Sequence, residues 1–340
     1  WEKNQMINAG IDLQMFDGYI GFSVDYYNTN TSNMLLYVPV PLLTGYSTSL
    51  QNLGKVNNRG WELALTSQHT FTNGFGYSFN ANYAKNTNEV KELGPGNAPI
   101  ISSGSVGHAY YITEVGKPIG NYYLLVQDGI FATEEDLKKY PHFDNTEVGD
   151  FRFVDVDGDG KLDLDKDRTI CGNYMPKFTY GFGGKLWYAG FDMDFNFQGV
   201  YGNKILNLNK RYLDNMEGNT NGTKIALDRW KSPENPGSGS VNKANRKQTG
   251  YNSRTSTWHL ESGSYLRLQN LSLGYTLPRA LTQKFKVEKM RVYVSGQNLF
   301  TITNYSGYNP EVNARPSKNL TPGEDYGTYP LARTYMFGLN

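Results

Sequence analysis

The residues best placed to do chemistry lie in one run, Asp155-Val-Asp157-Gly-Asp159-Gly160-Lys161-Leu-Asp163-Leu-Asp165-Lys166-Asp167. Counted from Asp155, carboxylates fall at positions 1, 3, 5 and 9, glycine at 6 and the Lys161 carbonyl at 7. That is the spacing of a calcium loop, because a hard cation wants roughly six to eight oxygens and alternating acids turn theirs inward. Position 12, where such a loop carries a bidentate acid, is Lys166, so Asp165 or Asp167 would have to substitute. Two readings stand. In one, Asp155, Asp157, Asp159, Lys161, Asp163, Asp165 and Asp167 hold Ca2+ or Mg2+; in the other, they form a solvated acidic turn closed by Asp-Gly pairs. Either way the run braces a loop and does not catalyse.

Nothing else in the chain has the spacing of a reactive site. His69, His108, His142 and His259 are far apart and show no metal-ligand pattern. A nucleophile elbow, a phosphate-binding glycine loop and a dinucleotide fingerprint are all missing, and no pair of acids is marked out for glycoside hydrolysis. We expect no enzyme. The single cysteine, Cys171, rules out an intrachain disulfide and reads as a small loop residue. Lys+Arg 33 against Asp+Glu 32 leaves a net charge of +1, so no basic field points to nucleic acid.

The elements that must carry these residues are strands. Hydrophobic residues make up 38% of the chain, below the roughly 45–50% of soluble globular proteins, while aromatics reach 14% and glycines number 37. That balance suits a large β-structure with a thin apolar band. No apolar run approaches the ~18 residues of a membrane helix. Alternation is pervasive instead: Phe191, Met193, Phe195 and Phe197 stand against Asp192, Asp194, Asn196 and Gln198, as expected of a strand with lipid on one side and water on the other.

Nine such strands can be counted. They lie at Ile7–Gln14, from Ile20, around Trp61 to Leu65, from Phe75 to Tyr83, at Phe178–Tyr188, from Phe191, and in three runs between Ser264 and Asn340. A parity slip at Gln269-Asn270 predicts a β-bulge, and Thr133 with Asp136 predicts a capped helix over Thr133–Tyr140. Connections near 15–18, 69–73, 189–190 and 277–288 are short, while those at 30–57, 86–177, 201–263 and 300–331 are long. Strict alternation of short and long links predicts an antiparallel up-and-down transmembrane β-barrel with its long loops on the extracellular side. A soluble sandwich or β-helix is the weaker reading, since soluble sheets rarely carry ~50-residue loops on one edge only.

Aromatics near strand ends (Tyr26, Tyr27, Tyr83, Trp187, Tyr188, Phe191) read as an interfacial girdle. Those in the long loops, Tyr201, Tyr212, Trp230, Tyr251 and Trp258, are candidates for ligand or partner contact, with loop packing as the alternative. The first residue is Trp1 and the chain stops mid-strand at Asn340, so we expect residues 1–340 to be one portion of a longer protein.

Several runs resemble the SusC/RagA family of TonB-dependent outer-membrane transporters of Bacteroidota. They are Tyr26–Thr31, Asn52–Glu62, Val115–Tyr123, Asp128–Phe131, Gly149–Lys161, Phe197–Asn203 and the block Ser264–Asn340. The resemblance follows the chain in order from end to end. It implies a barrel of roughly 22 strands with a plugged lumen, of which this chain supplies the last nine, the plug domain and N-terminal strands lying elsewhere. It implies TonB-dependent import of a nutrient, an oligosaccharide for most members and an oligopeptide for some, through the outer membrane of a Gram-negative bacterium. It also implies a SusD-like surface lipoprotein as lid, the TonB complex as energy source and outer-membrane lipid as surroundings. Whether transporter–lipoprotein pairs form dimers is left open. Rival readings are a passive adhesin or structural barrel, and a soluble carbohydrate-binding β-protein.

Overall fold

The computed structural model describes residues 1–340 apart from 40–42, 44, 47, 107 and 248, and the side chains of 36, 38, 39, 48 and 95. Nine strands form one sheet, each paired antiparallel with its neighbour in sequence order. They are β1 (Lys3–Met15), β2 (Ile20–Pro39), β3 (Thr48–Thr70), β4 (Gly76–Glu92), β5 (Phe178–Tyr188), β6 (Phe191–Tyr201), β7 (Tyr265–Thr276), β8 (Arg291–Thr303) and β9 (Thr334–Leu339). The up-and-down meander read from the alternation is therefore present, as an open wall and not a closed barrel.

Tight turns sit where the sequence put them. Ala189 and Gly190 both take positive φ, 49° and 88°, the two-residue geometry that matches strand twist. Phe16, Asp17 and Gly18 do likewise between β1 and β2. The slip in β7 is real: Asn196 pairs Asn270 and Phe197 pairs Leu268, leaving Gln269 unpaired. The side that was polar before the bulge therefore stays polar after it.

The reading of 30–57 as a long loop is corrected in part. β2 and β3 stay paired from Ile20↔Ser67 out to Pro39↔Thr48, through irregularities around Met34. Alternation of apolar residues fades there, but asparagines supply the cross-strand bonds: Asn57 Nδ2 donates to Asn28 Oδ1 at 2.6 Å and to Asn30 Oδ1 at 2.9 Å. Residues 40–42, 44 and 47 of that expected loop, Pro41 among them, lie outside the described residues.

Most of the buried core sits in the long connections, not in the wall. Ile100–Ser103, Tyr110–Thr113, Asn121–Leu125 and Arg168–Gly172 make a four-stranded sheet. Lys204–Asn207, Leu260–Ser262 and Glu324–Asp325 make another of three. A short helix, α1 (Glu134–Lys139), carries the expected capping box, with Thr133 and Asp136 exchanging side-chain bonds. Between the loops Glu324 is wholly buried. It accepts from Ser105 N at 3.1 and 3.0 Å and from Tyr111 Oη at 3.0 Å, and so pins the 86–177 connection to the 304–333 segment.

Wall side chains sort by parity into two faces. On one, Tyr26 packs on Trp61, Phe178 on Tyr201 and Phe191 on Tyr275, with ring centroids 4.8, 5.0 and 4.5 Å apart. Phe191 and Tyr201 open and close β6. Their ten-residue separation spans about 33 Å of strand, or about 25 Å of membrane normal at a tilt near 40°. That is the height of an apolar band between two aromatic belts. Tyr27 and Trp187, expected in the girdle, are on the opposite face. Tyr27 Oη donates to Asn86 Oδ1 at 3.0 Å, and Trp187 shares the row of Asp192. Their parity, not their type, decides this.

Candidate functional site

The polar face of the wall is built by register. Ser23, Ala64, Asn82, Gly181, Gln198 and Arg267 follow one another across six adjacent strands. One step along, Gly21, Thr66, Asn80, Gly183, Asn196 and Asn270 do the same. Between these rows and the Asp25–Glu62 pair lies a groove of about 820 Å³, lined among others by Asp25, Glu62, Asn80, Asn82, Asn196 and Gln198. Glycine is required at 183, and at 181 any side chain would displace Asn82. A Cβ on Gly181 would stand 2.7 Å from Asn82 Oδ1, and one on Gly183 would stand 2.8 Å from the Phe195 carbonyl. The asparagine amides lie over the space these glycines leave. Amides donate and accept while carboxylates accept, so the groove suits a chain rich in hydroxyl or amide groups.

At the outer end of this face the 304–333 segment folds back onto the wall. Glu311 accepts from Tyr265 Oη at 2.5 Å, from Gln198 Nε2 at 2.9 Å and from Arg267 Nη1. The Arg267 side chain is only 3% exposed, and it also donates to Thr301 Oγ1 and Asn309 Oδ1 at 2.9 and 2.8 Å. Farther down the face, Arg291 grips Asp192 through two bonds of 2.8 and 2.6 Å. The Glu311 clamp escapes sequence reasoning because 44 residues separate the two charges and only the fold makes them neighbours.

The structure divides the aspartate run. Asp155, Asp157 and Asp159 bring carboxylate oxygens within 4.8 Å of one another, while backbone amides of Gly158, Gly160, Asp159 and Lys161 bond to the same three groups. Asp163 accepts instead from the amides of Asp165 and Lys166, and the first of these bonds holds its carboxyl below the usual range. Asp165 points away to Arg168 at 3.2 Å. Asp167 is buried and closes the loop by accepting from Val156 N and Asp163 N at 2.7 and 2.6 Å. Lys166 Nζ stands 3.7 Å from Asp159. Three of the seven expected ligands thus converge, and a cation at that point meets three carboxylates with no bidentate acid opposite.

Of the loop aromatics, Trp230, Tyr251 and Trp258 pack half-buried against the cluster of Leu125, Ile130, Phe143, Phe151 and Phe153. Tyr251 stacks on Phe143 with centroids 4.1 Å apart. Tyr201 and Tyr212 stay exposed, Tyr212 beside Tyr326 with hydroxyls 3.4 Å apart. Tyr212 keeps a surface that a ligand or partner can reach, whereas Tyr201, expected in a loop, closes β6 on the apolar face against Phe178. Cys171 is half-buried, and burial pushes its thiol up to about 11, so it is unreactive.

Residues 1–299 match the family described as TonB dependent receptor-like, beta-barrel. Along its whole length the chain is 34% identical to TonB-dependent receptor P3 of Formosa agariphila, covering 34% of that protein. It is 27% identical to TonB-dependent receptor SusC of Bacteroides thetaiotaomicron, covering 32% of it. Among solved structures, that of the RagAB peptide transporter superposes with a TM-score of 0.80 at 26% identity, over 100% of this chain and 35% of that one. The chain therefore spans about a third of the length of the relatives it matches.

Proposed function

The chain belongs to the TonB-dependent receptor β-barrel family, and from that premise we propose that it forms part of the wall of an outer-membrane importer driven through TonB. The supporting observation is the two-faced wall: an apolar face banded by aromatics about 25 Å apart, backed by a groove of amides and carboxylates. Lipid takes the first face and cargo passes the second. We put an oligosaccharide first as cargo, since a row of amides and carboxylates matches the many hydroxyls of a sugar chain. An oligopeptide is the alternative, supported by the likeness to a transporter of peptides. A SusD-like lipoprotein lid would sit over the long loops, where Tyr212 stays exposed. Calcium at Asp155, Asp157 and Asp159 would stiffen one of those loops without touching cargo.

The test is uptake of a labelled oligosaccharide mixture by cells carrying the full-length protein, with TonB intact and with TonB deleted. Import that stops without TonB supports the reading. Uptake or surface binding indifferent to TonB would point to the rival, a passive barrel or adhesin. Affinity purification from the same cells, followed by native mass measurement, reports the lipoprotein and any pairing of complexes.

A further inference from the structure

Three arginines of the long loops gather with few acids to answer them. Arg254 donates through Nη1 to His108 Nε2, and its guanidinium lies 5.1 Å from the centre of the Tyr251 ring. Arg211 donates through Nη1 to the carbonyl of Ser253, the residue before Arg254. Arg168 lies over Tyr110, two residues from His108, with 3.8 Å between guanidinium and ring centre. Arg211, Arg254 and His108 are half-buried, so solvent reaches one side of the group.

At this end Arg267 meets Glu311 and Arg152 meets Asp128, while half-buried Arg229 and Arg315 meet backbone carbonyls. Among the described residues neither Arg211 nor Arg254 has one within 4.0 Å, and Arg168 has only the exposed Asp165. Glu217 acts on Arg254 from farther off, and burial raises its carboxyl above the usual range. With Nε2 accepting from Arg254, the proton of neutral His108 is on Nδ1, which is buried without a partner among the described residues. Burial, followed by the charges of Arg254, Arg211 and Arg168, holds this imidazole down at about 4.

Two guanidinium forks without an acid partner, that of Arg254 over a tyrosine ring, suit a planar oxyanion. We propose that Arg211 and Arg254, with Arg168 behind them, bind a carboxylate on the imported oligomer. The proposal deepens the import reading: the cargo is acidic, and the loops select it before it enters the groove. Tyr251 serves as the floor of this site, which gives it a place in recognition although half its ring is packed in the loop core.

The experiment uses the full-length transporter in detergent, titrated by calorimetry with trigalacturonate, triglutamate and neutral maltotriose. At low salt we expect an acidic probe to bind and maltotriose to bind at least tenfold more weakly. Raising salt toward 0.5 M should weaken the acidic probe. Arg211→Gln should lower its affinity about 10- to 100-fold, the range for a lost charge-assisted bond. Arg254→Gln should do the same, and because that residue also holds His108, Arg211→Gln and the salt series remain decisive if it misfolds. Trigalacturonate binding alone identifies an acidic sugar as source, and triglutamate alone identifies a peptide. Equal binding of all three probes, no binding of either acidic probe, or affinity unmoved by Arg211→Gln overturns the proposal. TonB-dependent uptake is scored separately. If uptake of a neutral cargo persists while acidic probes fail, this site falls and import stands; if the probes bind but uptake ignores TonB, the reverse holds.

Discussion

Replacing Glu311 with alanine removes the acceptor on which the 304–333 segment is fixed to the wall. Arg267 would be left 97% covered, facing only the neutral oxygens of Thr301 and Asn309 at 2.9 and 2.8 Å. Removing one partner of a buried ion pair costs about 3–5 kcal/mol. Glu311 is itself 37% exposed, so water can enter the vacated place, and the low end, about 3 kcal/mol, applies. Tyr265 and Gln198 lose the same acceptor, but both are polar tips that water can satisfy. At about 1.4 kcal/mol per factor of ten, local opening of this segment becomes about a hundredfold more frequent. Amide hydrogen exchange on the full-length protein should show it: peptides across 304–313 lose about a hundredfold of protection, while those across 178–201 keep theirs. Glu311→Gln, which retains an acceptor but not the charge, should fall between. Unchanged exchange in Glu311→Ala would show that the clamp does not hold the segment, and loss spread through the wall would show that it is not local.

Other consequences follow from the faces and the loops. Phe195→Arg on the apolar face should cost about 2–4 kcal/mol of unfolding stability in lipid, whereas Asn196→Arg, one residue on, should cost under about 1; similar costs would refute the assignment of faces. His259 is fully buried and held down at about 3, by burial first and then by Lys210 and Arg211. An unfolded histidine titrates near 6.5, so between these values only the unfolded loop takes the proton. Loop stability is therefore full above pH 6.5 and falls with acid, by about 2 kcal/mol at pH 5. Exchange of 255–262, corrected for intrinsic rate, should report this, and flat protection from pH 7 to 5 would contradict it. If calcium binds at Asp155, Asp157 and Asp159, Lys166→Glu should tighten it at least tenfold by restoring the acid at position 12; heat released on calcium titration that is indifferent to that change would refute the site.

How much of this could be read from the residues depended on distance along the chain. Strands, the Ala189-Gly190 turn, the slip at Gln269 and the Thr133 cap all rest on neighbours a few places apart, where alternation and turn chemistry act directly. The paired extension of β2 and β3 did not show, because Asn57 bonds across its base to Asn28 and Asn30 and asparagine is otherwise a mark of loops. Trp258 and Trp230 could have faced ligand or core by type alone; only the meeting of two long connections decides that they pack inward. The Glu311 clamp and the arginine group join parts of the sequence that no periodicity links. For Asp155 to Asp167 the chain brings the first three acids together, and the backbone uses Asp163 and Asp167 as caps.

The bond from Ser105 to Glu324 spans 219 residues, and this bears on the order of folding. Each wall strand pairs with its neighbour in sequence, and the pairs β1–β2, β3–β4 and β5–β6 close over short turns at low entropic cost. The acceptor that Ser105 and Tyr111 need is synthesised long afterwards, and closing so long a loop costs more entropy than any hairpin. The outer assembly is thus the last part to set. The contacts of Glu324 and Asp325 fix how the long connections pack on one another.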